Sequence, residues 1–128
     1  MSSKAARRGA AGAAILAAAA AAVVPAAVAQ PHKTKPKAKT HQVGVNDDYY
    51  DPTKLTLHAG DKVKWVWHSS GFNLHDVYVD SGPTDFHSPT QGAGSYSYTF
   101  KKAGTYKLYC SQHQAVMTMT VVVKKAAK

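Results

Sequence analysis

Residues 96–123 read YSYTFKKAGTYKLYCSQHQAVMTMTVVV. Tyr96, Tyr98 and Phe100 alternate with Ser97 and Thr99, the pattern of a strand with one face turned to a core. Lys101-Lys102-Ala103-Gly104 breaks that run, Tyr106 and Leu108 resume it, and Val121 to Val123 form a last apolar run. The same period of two appears upstream. Leu55 and Leu57 share one face, and Val63, Trp65 and Trp67 share another with Lys62 and Lys64 opposite; Val77 and Val79 add a further strand. Turn chemistry separates the runs: Asn46-Asp47-Asp48, Asp51-Pro52, Ala59-Gly60-Asp61, Ser69-Ser70-Gly71, Ser81-Gly82-Pro83 and Gly92-Ala93-Gly94. No Glu and few Leu leave little from which to build a helix. The expected fold is all-β, a Greek-key β-sandwich of six to eight short strands. Val63, Trp65, Tyr98, Phe100, Tyr106 and Leu108 are its expected core. Internal repeats, a glycine-rich phosphate loop and coiled-coil heptads are all missing.

The chain has 128 residues and a formal charge of +9. That length allows one folded domain and excludes large multidomain enzymes. Lys4, Arg7 and Arg8 precede an uncharged, Ala-rich run that ends in Ala27-Val28-Ala29. Residues 1–29 read as a cleavable secretory signal with an A-x-A site, and the product as an exported protein, periplasmic, in the cell envelope or extracellular. A retained anchor is the competing reading; Ala contributes little to insertion, and Pro25 interrupts the run. Arg7-Arg8 leaves general and twin-arginine export both open. Residues 30–42, QPHKTKPKAKTHQ, hold four Lys, two Pro and no large apolar side chain, the composition of a basic disordered linker. The folded domain is expected over residues 43–128. The 13 Lys and 7 Asp after position 29 give the chain beyond the signal segment a positive excess. That excess suits an acidic partner protein or a weak contact with an anionic membrane or envelope surface, and export argues against nucleic acid.

Chemistry concentrates in the last loop. Cys110 ends one strand pattern, His113 follows three residues later, and Met117 lies four further on before the final strand. A loop held at both ends by strands can turn a thiolate, an imidazole and a thioether toward one point. His75, in GFNLHDVYV, stands where a loop gives way to the Val77–Val79 strand and supplies a fourth candidate. Two His, one Cys and a distant Met suit copper moving between two oxidation states, while structural zinc sites use more Cys or ligands closer in sequence. A lone thiol in an exported chain is a liability to oxidation unless a metal holds it. A Cys–His nucleophilic pair is the enzymatic alternative, but no third member or substrate cleft is legible. His58, His68 and His87 lie at strand ends or turns and read as surface imidazoles, with His68 nearest the candidate metal end; His32 and His41 lie in the linker.

Taken together, these residues resemble the cupredoxins, the blue-copper family of plastocyanin, pseudoazurin and amicyanin. The resemblance spans about Val43 to Val123 and rests on Asp51-Pro52 with LTLHAGDKVKW, HDV at His75, TFKKAGTYKLYC, and CSQH followed by Met. It implies one type 1 copper ion, with His75, Cys110 and His113 as equatorial ligands and Asp76 bracing the ligand loop. Met117-Thr118-Met119 departs from the Met-x-Gly common in the family; the register of the following TVVV favours Met117 as the axial ligand over Met119. Trp67 stands where a smaller polar residue is common. The implied function is a one-electron carrier, not an enzyme, acting as a monomer on redox partner proteins. Copper delivery or storage is the alternative, and a metal-free interaction sandwich is the third.

Overall fold

The computed structural model describes residues 19–23, 25–26, 31 and 34–128. The chain divides into two units, Met1–His32 and Lys33–Lys128. In the first unit the described residues are exposed and belong to neither helix nor strand; most of the expected signal segment, and His32, lie outside the described residues. No helix among the described residues is long and apolar enough to cross a membrane.

Among the described residues the second unit holds eight strands: β1 (Thr40–Asn46), β2 (Tyr49–Asp51), β3 (Lys54–His58), β4 (Lys62–Trp67), β5 (Tyr78–Ser81), β6 (Ser95–Thr99), β7 (Gly104–Tyr109) and β8 (Thr118–Lys124). They form two four-stranded sheets ordered β2-β1-β4-β6 and β3-β8-β7-β5. Every connection except β1–β2 and β7–β8 passes from one sheet to the other. The all-β sandwich read from the alternation is the observed fold. β1 runs parallel to β4 and β3 parallel to β8, while the other neighbours are antiparallel.

Alternation accounts for the core. Val63, Trp65 and Trp67 of β4 are buried while Lys62 and Lys64 are exposed. Opposite them lie Tyr106 and Leu108 of β7 and Met119, Val121 and Val123 of β8, all buried in the same cluster as Phe100. Burying an apolar side chain of this size contributes roughly 1.5–3 kcal/mol, so these positions dominate the stability of the sandwich. Tyr98 is the exception among the expected core residues: it is only partly buried, stacked on Phe86 with ring centroids 3.8 Å apart. Val77 is buried but precedes β5, which starts at Tyr78 and bulges between Val79 and Ser81.

The expected boundary at Val43 moves. Thr40, His41 and Gln42 already pair with Lys62, Val63 and Lys64, so the end of the expected linker is a strand. Asp61 explains why a basic, polar segment can dock: one carboxylate oxygen accepts the N–H of Lys39 at 2.9 Å and the other lies 3.0 Å from Nε2 of His41.

Candidate metal centre

Backbone hydrogen bonds build the loop between β7 and β8 into a closed turn. The N–H of Cys110 donates to the carbonyl of Met117 at 3.0 Å, while those of His113 and Met117 donate to Cys110 and His113 at 3.1 and 3.0 Å. The loop therefore returns to its starting point before β8 begins. Asp76 clamps it from outside: one carboxylate oxygen accepts the N–H of Ser111 at 2.6 Å, and the other accepts the hydroxyls of Ser111 and Thr90. The Asp76 brace implied by the resemblance has a physical counterpart here.

Three hydrogen bonds hold the His75 backbone. Its N–H and carbonyl exchange hydrogen bonds with Gln91, both at 3.0 Å, and the carbonyl also accepts the indole N–H of Trp67 at 3.0 Å. The residue is completely buried. Its Nδ1 lies 3.9 Å from the sulfur of Cys110, and Nδ1 of His113 lies 3.8 Å from the same sulfur. One ligand atom from each of His75, Cys110 and His113 falls within 4.8 Å of the others, the one such cluster of three found among the described residues. A first-row ion bonded about 2.0–2.1 Å from nitrogen and about 2.3 Å from sulfur spans such separations. The donor set, one soft thiolate and two imidazoles, fits copper.

Met117 is also fully buried, at the end of the same loop. Met119, two residues on in β8, has its sulfur engaged elsewhere: it accepts the indole N–H of Trp65 at 3.4 Å. His58, His68 and His87 are exposed and outside the cluster, as expected. His68 donates its N–H to Val45, and His87 stacks on Tyr78.

The far edges of both cluster imidazoles meet acids of the β1–β2 turn. Nε2 of His75 is hydrogen-bonded to Asp47 at 3.2 Å, and Nε2 of His113 lies 3.2 Å from Asp48. In the sequence these two acids sit in an Asn-Asp-Asp turn, where solvated polar residues are ordinary, so only the folded β1–β2 connection reveals them. Burial pushes the Cys110 thiol pKa up and the charge of Asp76 adds to this, while N–H groups of Asp76, Gln112 and His113 directed at the sulfur work the other way. Burial also raises the Tyr50 phenol, with Cys110 and Asp76 adding to the effect, so Tyr50 stays a donor to the carbonyl of Asp76.

The family described as a cupredoxin-like domain matches residues 14–123. The chain belongs to the cupredoxin family. Its relatives include plastocyanin of Prochlorothrix hollandica, 33% identical over 100 residues that cover 68% of this chain and 75% of the relative. Plastocyanin of Scenedesmus fuscus is 30% identical over 86 residues, covering 59% of this chain and 86% of the relative. Among solved structures, an oxidised amicyanin variant superposes with a TM-score of 0.56 at 28% identity, covering 65% of this chain and 80% of its own. A purple cupredoxin from Nitrosopumilus maritimus shares the fold at a TM-score of 0.56 and 24% identity, covering 65% of this chain and 98% of its own. Copper is the metal of cupredoxins, and the His75, Cys110 and His113 cluster is a site able to take it.

Proposed function

We propose that this cupredoxin is an exported type 1 copper protein that carries one electron at a time. His75, Cys110, His113 and Met117 would hold the ion, the thiolate and two imidazoles as its close donors and the thioether as a weaker one. The observation that carries the reading is the meeting of His75 with a thiol 35 residues away, 3.9 Å apart in a buried, hydrogen-bonded frame. Bound copper supplies the one-electron couple between Cu(I) and Cu(II). The chain's part is to hold its donors still. Asp76, Gln91 and Trp67 fix the ligand-bearing backbone, so the donors need little rearrangement between oxidation states. Burial of His75, Cys110 and Met117 keeps water from the centre. The Met117 assignment rests on its burial at the loop end and on the separate engagement of Met119 with Trp65.

His113 is the route for the electron. Its side chain is 32% exposed, while His75 is sealed. Ala115 and Val116 follow it on the loop, both exposed, and Leu74 beside His75 is exposed too. A small apolar contact of this kind suits brief docking of a redox partner. The Lys-rich remainder favours an acidic one. No substrate bond is made or broken, so the protein is a carrier and not an enzyme, and it acts as a monomer. Residues 1–29 are its export signal, and a basic segment leads into the domain.

The test is the visible and electron paramagnetic resonance spectrum of the Cu(II)-loaded protein. An intense thiolate-to-copper band, lost in Cys110→Ser, is the expected result. A colourless copper complex, or a Cys110→Ser variant of unchanged colour, overturns the reading. Copper that moves bodily to an acceptor protein faster than electrons exchange would place the protein in metal delivery instead.

A further inference from the structure

We infer that Asp47 and Asp48, the two tip residues of the β1–β2 hairpin, are positioning residues that act through the ligand imidazoles to favour the oxidised centre. The inference rests on the functional reading above and goes beyond it.

Asn46 pairs with Tyr49, so Asp47 and Asp48 alone make the turn. Asp48 has a φ of 69°, a left-handed conformation in which a glycine would be free of strain and Asp or Asn is tolerated. Adjacent acids in so tight a turn repel each other. Their partners account for them: the Asp47 carboxylate is hydrogen-bonded to Nε2 of the buried His75, and the Asp48 carboxylate stands 3.2 Å from Nε2 of His113. One turn therefore reaches the outer edge of both imidazoles whose inner edges face Cys110.

The chemistry follows from the two ends of the ring. An imidazole that donates Nε2–H to a carboxylate keeps Nδ1 unprotonated and facing the sulfur, and it becomes a stronger donor. A stronger donor backed by negative charge stabilises the more highly charged ion. The Cu(II) state therefore gains over Cu(I), and the reduction potential falls. Asp47 acts on a fully buried ring and is itself 42% exposed, whereas Asp48, 64% exposed, faces a ring that is 32% exposed. Solvent screens the second pair more, so Asp47 has the larger effect.

Asp47→Asn and Asp48→Asn keep the shape and the turn conformation but remove the charge. In the copper-loaded protein, Asp47→Asn is expected to shift the Cu(II)/Cu(I) affinity ratio about tenfold toward Cu(I), a rise in potential of about 59 mV. Asp48→Asn shifts it about threefold in the same direction. In the metal-free protein, nitrogen NMR of the His75 ring reports the tautomer directly; Asp47→Ala is expected to convert a single Nε2–H form into a mixture. Affinity ratios within twofold of the parent in both Asn variants, or an unchanged His75 tautomer in Asp47→Ala, overturn the inference. A parent protein that forms no blue copper site overturns the functional reading instead, and the metal-free NMR measurement still decides whether Asp47 sets the ring.

Discussion

The indole N–H of Trp67 donates to the carbonyl of His75 at 3.0 Å, joining the last residue of a core strand to a candidate ligand eight positions later. Because Trp67 is buried with the sandwich core, the position of His75 is tied to the packing of the whole domain. The site is thus anchored to the most stable part of the fold. Asp76 does the equivalent for the Cys110 loop through Ser111.

Trp67→Phe tests this anchor. The carbonyl of His75 keeps its bond from Gln91, so no acceptor is left orphaned. The loss is one hydrogen bond and part of a buried ring, about 1–3 kcal/mol of stability by denaturant unfolding of the metal-free protein. Copper affinity is expected to fall up to about tenfold as His75 gains freedom. An unchanged affinity with reduced stability would make Trp67 a packing residue only.

The two methionines are expected to separate cleanly. Met117→Leu preserves apolar volume, so the metal-free domain should lose less than about 1.5 kcal/mol while the absorption spectrum and potential of the copper form change. Met119→Leu leaves the indole N–H of Trp65 without its sulfur acceptor inside the core, a cost of about 1–3 kcal/mol, with little spectral change. The reverse pattern would move the axial role to Met119.

Copper uptake should weaken in acid. Burial raises the pKa of the Cys110 thiol, so the metal-free protein holds its proton at neutral pH and binding must release it. Apparent affinity is then expected to fall about tenfold for each unit of pH below neutrality, with proton release seen in a weakly buffered titration. In Cys110→Ser the part of that slope carried by the thiol should disappear.

Much of this was legible in the sequence. The alternation of Val63, Trp65 and Trp67 against Lys62 and Lys64 gave the strand and its buried face, because a half-buried strand writes its two faces with a period of two. The Cys110, His113 and Met117 spacing marks the loop, and His75 is the further imidazole that a copper donor set asks for, one that the fold brings within 3.9 Å of the Cys110 sulfur. Other features depend on partners distant in the chain. Tyr50 is buried in the three-residue β2 between turn signals, and Asp47 and Asp48 look like solvent-facing turn acids until the β1–β2 hairpin carries them to the imidazoles. The start of β1 is hidden for the same reason: Thr40 to Gln42 look like linker because their composition is polar, yet they pair in parallel with β4.

Asp61 supplies the clip that makes this pairing start where it does. Its carboxylate is buried, which alone would raise its pKa, but the N–H of Lys39, the ring of His41 and the N–H of His58 outweigh that and hold it at about 2. A carboxylate with a depressed folded-state value stabilises the fold above its ordinary value of 3.8, and that contribution is lost as the pH falls toward about 2. Allowing for solvent screening, the contribution is on the order of 1 kcal/mol. Urea unfolding of the metal-free protein between pH 6 and pH 2 should therefore show stability declining below pH 4, and Asp61→Asn should flatten that decline while lowering stability near neutrality by a similar amount. The same variant should free the start of β1, so that trypsin cuts after Lys37 or Lys39 faster than in the parent. Equal cutting rates, with an unchanged acid slope, would show that Lys39 and His41 are held by the pairing with β4 and not by the Asp61 carboxylate.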